Sequence, residues 1–199
     1  MSRTPPTPEI RPAGPEHADQ IFSAAETTFE LHRAHRPGQE KTFEGSDLQA
    51  FLCQGLNRYG QHRVFAAFLN ARLIGYMLIS APKPGSALAF VNDIWVHERH
   101  RGKGIAPSLL AEAIRNQEDA GWGYLAATIA DWNTASLGAF RRAGFLEWKN
   151  HGLKDDGHGF HILVRPRRGK VLPRPLLRWF WLLGAVPVLI AFALSVLTL

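Results

Sequence analysis

Val91-Asn92-Asp93-Ile94-Trp95-Val96-His97-Glu98-Arg99-His100-Arg101-Gly102-Lys103-Gly104-Ile105-Ala106 is the stretch that decides the fold. Its first six residues close an apolar run, Leu88 to Val96, that predicts a strand. Its last two open a helix expected over Ile105 to Ala120. Between them lies a basic turn with two glycines. Strand, basic glycine turn and helix start together form the sequence pattern of a phosphate cradle. Glycines let backbone N–H groups turn inward and approach an anion closely. The helix N-terminus adds unpaired donors and the positive end of the helix dipole. Arg101 and Lys103 add charge. The pattern points to a bound pyrophosphate.

Spacing excludes two common phosphate loops. No Gly-x4-Gly-Lys-Ser/Thr string occurs in the chain. Gly102-Lys103-Gly104 meets Pro107 where the dinucleotide fingerprint needs a third glycine. Arg101, Gly104 and Ala106 instead match Arg-x-x-Gly-x-Ala. That resembles the acetyl-CoA signature of the GNAT N-acetyltransferases. Val91 to Val96 resembles the family's central strand. Asn133, Thr134, Ala135 and Ser136, followed by Leu137 to Phe145 with its closing Gly144-Phe145, resembles the family's second motif. The resemblance covers Glu9 to Arg165.

Composition sets further bounds. The chain has 199 residues and a net charge of +6. Arg165, Arg167, Arg168, Lys170, Arg174 and Arg178 follow Val164 with no acid among them, and the remaining 17 basic residues balance 17 acidic ones. The globular part is near neutral, which argues against a nucleic-acid partner. Cys53 is the only cysteine, so no intrachain disulfide forms. It closes the stretch Asp47 to Cys53, whose helical spacing predicts a small buried apolar residue rather than a nucleophile. Residues 1–8, with Pro5, Pro6 and Pro8, read as a disordered lead-in.

Trp179 to Leu199 carries no charged residue. As a helix these residues would span about 31 Å, close to a hydrocarbon core of about 30 Å. Two tryptophans at the near end and the upstream cations match an interfacial belt and a cytoplasmic flank. The expected organisation is a domain over 9–165, a basic juxtamembrane linker over 166–178 and a transmembrane tail anchor over 179–199. The domain would face the cytoplasm. A long helix packed on the domain is the alternative, and it should be amphipathic where this segment is apolar all round.

Other elements follow from periodicity. Glu9–Pro12 predicts a strand. Ala18 to Ala34 and Ser46 to Asn57 predict helices. Arg63 to Asn70 and Leu73 to Ser80 predict a hairpin turning at Asn70-Ala71-Arg72. A strand is expected over Tyr124 to Ala130, a helix over Thr134 to Ala143, and strands near Leu146 and over Phe160 to Val164. The order suggests a GNAT-like three-layer α/β/α domain with a central mixed sheet, with one C-terminal transmembrane helix added.

The resemblance implies direct acetyl transfer from acetyl-CoA to an amine-bearing acceptor, a small molecule or a protein. It implies that Arg101, Gly102, Lys103, Gly104, Ile105 and Ala106 hold the pyrophosphate. A backbone N–H among Ile94, Trp95 and Val96 would polarise the thioester carbonyl. Asn133, Ser136 and Phe140 would line the cofactor, with Asn133 bonding the pantetheine arm. Relatives carry a carboxylate near Asn92 or Asp93. The first is an amide here, so Asp93 is the candidate base; a role in orienting the strand is the other reading. Period-two alternation puts Asn92 and Ile94 on one face and Asp93 and Trp95 on the other, unless a bulge intervenes. Phe140 stands where many relatives have a tyrosine that protonates the departing thiolate. Either another donor serves, or the thiolate leaves unassisted, or the protein is a non-catalytic acyl-CoA binder. His32 with His35 and His158 with His161 lack the further ligands a metal would need, so no metal is expected. His151, His158 and His161 read as acceptor contacts or surface residues. Glu26, Glu30, His32, Arg33, His35 and Glu44 would wall the acceptor side. Homodimerisation is left open.

Overall fold

The computed structural model describes residues 7–35, 52–54, 56, 62–81, 85–152 and 159–172. Among the described residues, seven strands form one mixed sheet in the order β1-β2-β3-β4-β5-β7-β6. They are β1 (Glu9–Pro12), β2 (Arg63–Leu69), β3 (Arg72–Ser80), β4 (Leu88–Val96), β5 (Tyr124–Ala130), β6 (Leu146–Gly152) and β7 (Gly159–Pro166). The helices whose bounds fall among the described residues are α1 (Ala18–His35), α2 (Ile105–Asp119) and α3 (Thr134–Arg142). All neighbouring strands pair antiparallel except β4 and β5, which are parallel.

The central strands are apolar on both faces because both are covered. One face carries Met77, Ile79, Ala89, Leu125 and Leu163 under Ile105, Leu109 and Leu110 of α2 and Leu137 and Phe140 of α3. The other carries Val64, Ala66, Tyr76 and Leu78 under Ile21, Ala24 and Ala25 of α1, with Leu52 and Leu56 beside them. Two apolar layers around a sheet give the three-layer α/β/α arrangement.

The β2–β3 hairpin turns on Asn70 and Ala71 alone, with φ of 50° and 62°. Two residues at positive φ match the twist of the strands. Arg72, expected in the turn, begins β3.

Of the expected helix Ser46 to Asn57, residues 52–54 and 56 are described and helical. Leu52 is 0% and Leu56 2% exposed, one turn apart on the core side. Cys53 is exposed, which corrects the buried reading. It follows Leu52 by one position, about 100° further round the helix, and so turns away from the core.

The junction expected at residue 166 falls within bonded structure. β7 runs to Pro166. Arg165 Nη1 donates to Gln117 Oε1 at 2.7 Å, and Arg167 Nε meets Glu118 Oε2 at 2.7 Å. Arg167 N–H donates to Gly123 O, and Tyr124 Oη donates to Val171 O at 3.1 Å. Two of the six cations that follow Val164 therefore fasten the chain to the C-terminal end of α2. Among the described residues, no helix is long and apolar enough to cross a membrane. Residues 1–6 of the lead-in, the rest of the linker and the span 179–199 lie outside the described residues.

Candidate active site

β4 and β5 pair over three residues only, Leu88 to Phe90 against Tyr124 to Ala126. Beyond them each strand continues, β4 to Val96 and β5 to Ala130, without pairing to the other. β5 stays bonded to β7 along its whole length, and β4 to β3 as far as Val96. The two strands therefore part, and a wedge opens between them with backbone groups on its walls.

The parting coincides with a bulge. Ile79 pairs with Val91 and Leu78 with Asp93, so Asn92 is an extra residue in β4. A bulge resets alternation. Ala89 and Val91 lie on the α2 face before it, Ile94 and Val96 after it. Asp93 shares the α1 face with Leu78, as Trp95 does with Tyr76. Asn92 joins that side too, because its Oδ1 accepts from the Ser80 hydroxyl at 2.5 Å. This corrects the expectation that Asn92 and Asp93 face opposite ways. Asn92 is exposed and Asp93 partly buried.

The Asp93 carboxylate is held at two points. The Tyr76 hydroxyl donates to Oδ2, and the Ile94 N–H donates to the same carboxylate. Burial pushes the Asp93 pKa up to about 6, against the pull of those two hydrogen bonds. A carboxyl near pH 6 is ionised at neutral pH and basic enough to take a proton. Tyr76 is 0% exposed. Burial, then the Asp93 charge, push its phenol well above the ordinary range, so it remains a donor. Thr28 of α1 adds a hydroxyl beside the phenol. Tyr76 was absent from the sequence reading; only its alignment opposite Trp95 in the β3–β4 ladder exposes the pairing.

The backbone direction of β4 selects among the three expected carbonyl donors. His97 N–H donates to Ile74 O of β3 at 3.0 Å. Alternation then turns the Trp95 N–H towards β3 and those of Ile94 and Val96 towards the wedge. Ile94 N–H also favours the ionised Asp93 carboxylate, and Val96 N–H faces the open side. Trp95 contributes its ring instead, stacked on Tyr76 at 6.1 Å between centroids.

The loop after β4 has the form of a cradle. Glu98–His100 makes a 3-10 turn, and Gly102 and Gly104 follow at φ 74° and 82°. A β-carbon at either glycine would meet nothing within 4 Å, so the ground before both is open. Residues Arg101 to Gly104 are exposed. Arg101 Nε donates to Val96 O at 3.1 Å, which ties the loop to the wedge wall. Gly104 caps α2 without any side-chain bond, leaving the Ile105 and Ala106 N–H groups at the helix start. Pro107 has no N–H to orphan. Ile105 points its side chain into the core at 4% exposed, so its contribution is its backbone.

Beyond β5, Asn133 caps α3 by accepting from Ser136 N–H at 3.1 Å. Its Oδ1 is spent on the helix and its amide remains to donate. Ser136 is partly buried on the first turn. Phe140 is 2% exposed and packs edge-to-face on Phe145 at 4.9 Å. It is a core residue of α3 and has no polar atom for a thiolate. His161 Nδ1 lies 2.8 Å from Glu147 Oε1, and Arg141 Nη2 2.7 Å from Oε2. His161 and Arg141 hold Glu147 below the usual carboxylate range. That surface cluster sits on α3, β6 and β7. Among the described residues, no three metal-ligating side chains come together. Glu26 and Glu30 on α1 are exposed. The side chains of His32, Arg33, His35 and His151, and residues Glu44 and His158, lie outside the described residues.

Residues 23–145 match the family described as Acetyltransferase (GNAT) family. Over 73 residues the chain is 34% identical to the L-2,4-diaminobutyric acid acetyltransferase of Halalkalibacterium halodurans, covering 37% of this chain and 39% of that protein. The chain thus spans about two fifths of that curated relative's length. The structure of yncA from Salmonella typhimurium with its cofactor acetyl-CoA has a TM-score of 0.65 at 17% identity, over 85% of this chain and 99% of that one. The N-acetyltransferase of Staphylococcus aureus Mu50 gives 0.64 at 21% identity, over 81% and 99%. The PaiA N-acetyltransferase of Thermoplasma acidophilum in complex with coenzyme A gives 0.62 at 16%, over 80% and 99%. At such identities these likenesses establish the fold. A parted β4–β5 pair, a glycine cradle capping α2 and a family match across more than half the residues agree: the chain belongs to the GNAT acetyltransferase family.

Proposed function

We propose that this protein moves an acetyl group from acetyl-CoA, the donor its family uses, to an amine acceptor by direct attack. The observation that carries this is the wedge between β4 and β5 with the cradle at its mouth. The pyrophosphate would sit on Arg101 to Ala106, and the pantetheine arm would run into the wedge past the Asn133 amide. Val96 N–H would meet the developing oxyanion. Asp93, on the α1 side of β4, would take the amine proton. Nitrogen attacks the thioester carbon, the C–N bond forms, and the C–S bond breaks to release CoA. A CoA thiolate, with an ordinary thiol pKa of about 8.5, leaves without an acid at Phe140.

The named relative acts on a diamino acid, so L-2,4-diaminobutyrate heads a panel with polyamines, lysine and peptide N-termini. Thiol release from acetyl-CoA is the readout. An amine that releases CoA in proportion to its concentration supports the reading. CoA binding with no release from any amine would favour the second reading, an acyl-CoA-binding protein, which the apolar Phe140 recommends.

Anchoring belongs to the same proposal. The uncharged stretch 179–199, with cations before it, would hold the domain on the cytoplasmic side of a membrane. Residues 176–199 fused to a soluble reporter should carry it to the membrane fraction. Asp at Leu189 and Ile190 should release it, at about 2.5–3.5 kcal/mol each. A full-length chain soluble without detergent would reject the anchor.

A further inference from the structure

We infer that Tyr76 is the positioning residue of this site: its hydroxyl holds the Asp93 carboxyl at the edge of the wedge and sets how tightly that carboxyl keeps a proton. The inference rests on the reading of Asp93 as the proton acceptor. Its test does not depend on an acceptor amine.

The geometry carries it. Leu78 is Asp93's cross-strand partner and Trp95 is that of Tyr76, so the phenol lies diagonally beside the carboxyl on the α1 face. A diagonal neighbour is within reach of a long aromatic side chain. The phenol donates to Oδ2. Tyr76 has no freedom to leave: it is 0% exposed and stacked on Trp95. The Ile94 N–H also favours the ionised carboxyl. The bulge inserts Asn92 as an unpaired residue at this point and brings Asp93 onto the phenol's face.

Among the described residues, no other charged side chain acts on Asp93. From α1 comes the Thr28 hydroxyl, while Asp19, Glu26 and Glu30 of that helix are exposed. Leu52 and Leu56 are apolar, and on β4 the neighbours are Asn92 and Trp95. The phenol is thus the one hydrogen-bonding side chain acting on Asp93 among the described residues. A donor to the ionised form favours it. With Tyr76 the carboxylate is ready at neutral pH, and without it the carboxyl would stay protonated further up the scale.

The test is a carboxyl carbon-13 NMR titration of the full-length chain, with Asp93 assigned from Asp93→Asn. Tyr76→Phe should move the Asp93 midpoint up by about one pH unit, the size expected for losing one hydrogen bond to a charge. Incorporation of 3-fluorotyrosine strengthens the donor without changing its shape, and should move the midpoint down. That arm decides alone if Tyr76→Phe does not fold. Midpoints unmoved in the folded samples would overturn the inference. Wild-type thiol release by Asp93→Asn would instead reject Asp93 as the proton acceptor, with the Tyr76 titration shift intact.

Discussion

Gly75 of β3 lies so close beneath Ile105 that a β-carbon on it would meet Ile105 Cγ2 at 3.0 Å and Trp95 O at 3.0 Å. The first turn of α2 therefore rests on a strand with no side chain at that point. This contact sets the height of the helix N-terminus, and with it the Ile105 and Ala106 donors, above the wedge.

Gly75→Val should consequently lift the start of α2 and weaken CoA binding by at least about 10-fold, or 1.4 kcal/mol. Titration calorimetry on the folded variant measures it. Unchanged affinity would show that the sheet does not position the cradle.

Gly104 offers a different failure. Its φ of 82° suits glycine, and the space before it is open. Gly104→Ala should cost about 1–2 kcal/mol of strain at the cap and weaken CoA binding by a few fold. Gly104→Glu adds a negative charge facing the pyrophosphate and should abolish it. Equal affinities for the two variants would remove the anion from this loop.

The raised Asp93 pKa makes a prediction about stability. In the unfolded chain the carboxyl ionises near 3.8, in the fold near 6. Between those values the folded state holds a proton that the unfolded state has lost, so Asp93 destabilises the fold increasingly as pH rises from about 4 to about 6. Asp93→Asn keeps an acceptor for Tyr76 without the charge. Its melting temperature should match wild type near pH 4 and exceed it at pH 7, by at most about 3 kcal/mol in stability. A difference that is constant across this range would mean the carboxyl titrates normally.

Ala71 occupies a positive φ of 62° in the β2–β3 turn. The left-handed conformation costs an alanine about 1–2 kcal/mol, partly offset by the flexibility glycine adds to the unfolded chain. Ala71→Gly should raise stability by about 1 kcal/mol in urea unfolding. A lower midpoint would show that the turn relaxes in solution.

The sequence alone determined the elements whose signals are local. The run Leu88 to Val96, the glycine pair after Arg101 and the apolar stretches of β2, β3 and β5 each lie within a dozen residues of chain. Their boundaries are readable because propensity, charge and turn chemistry act between near neighbours. The tertiary structure decided whatever depends on pairing. An extra residue at Asn92 is invisible in β4 alone; it exists only relative to Leu78 and Ile79. That one-residue shift turns Asp93 onto the face of Tyr76, since side chains alternate with period two. Packing likewise put Phe140 in the core against Phe145, left Cys53 in solvent, and tied Arg165 and Arg167 to Gln117 and Glu118. Burial and long-range partners are properties of the assembled layers, and the proton affinity of Asp93 follows from both.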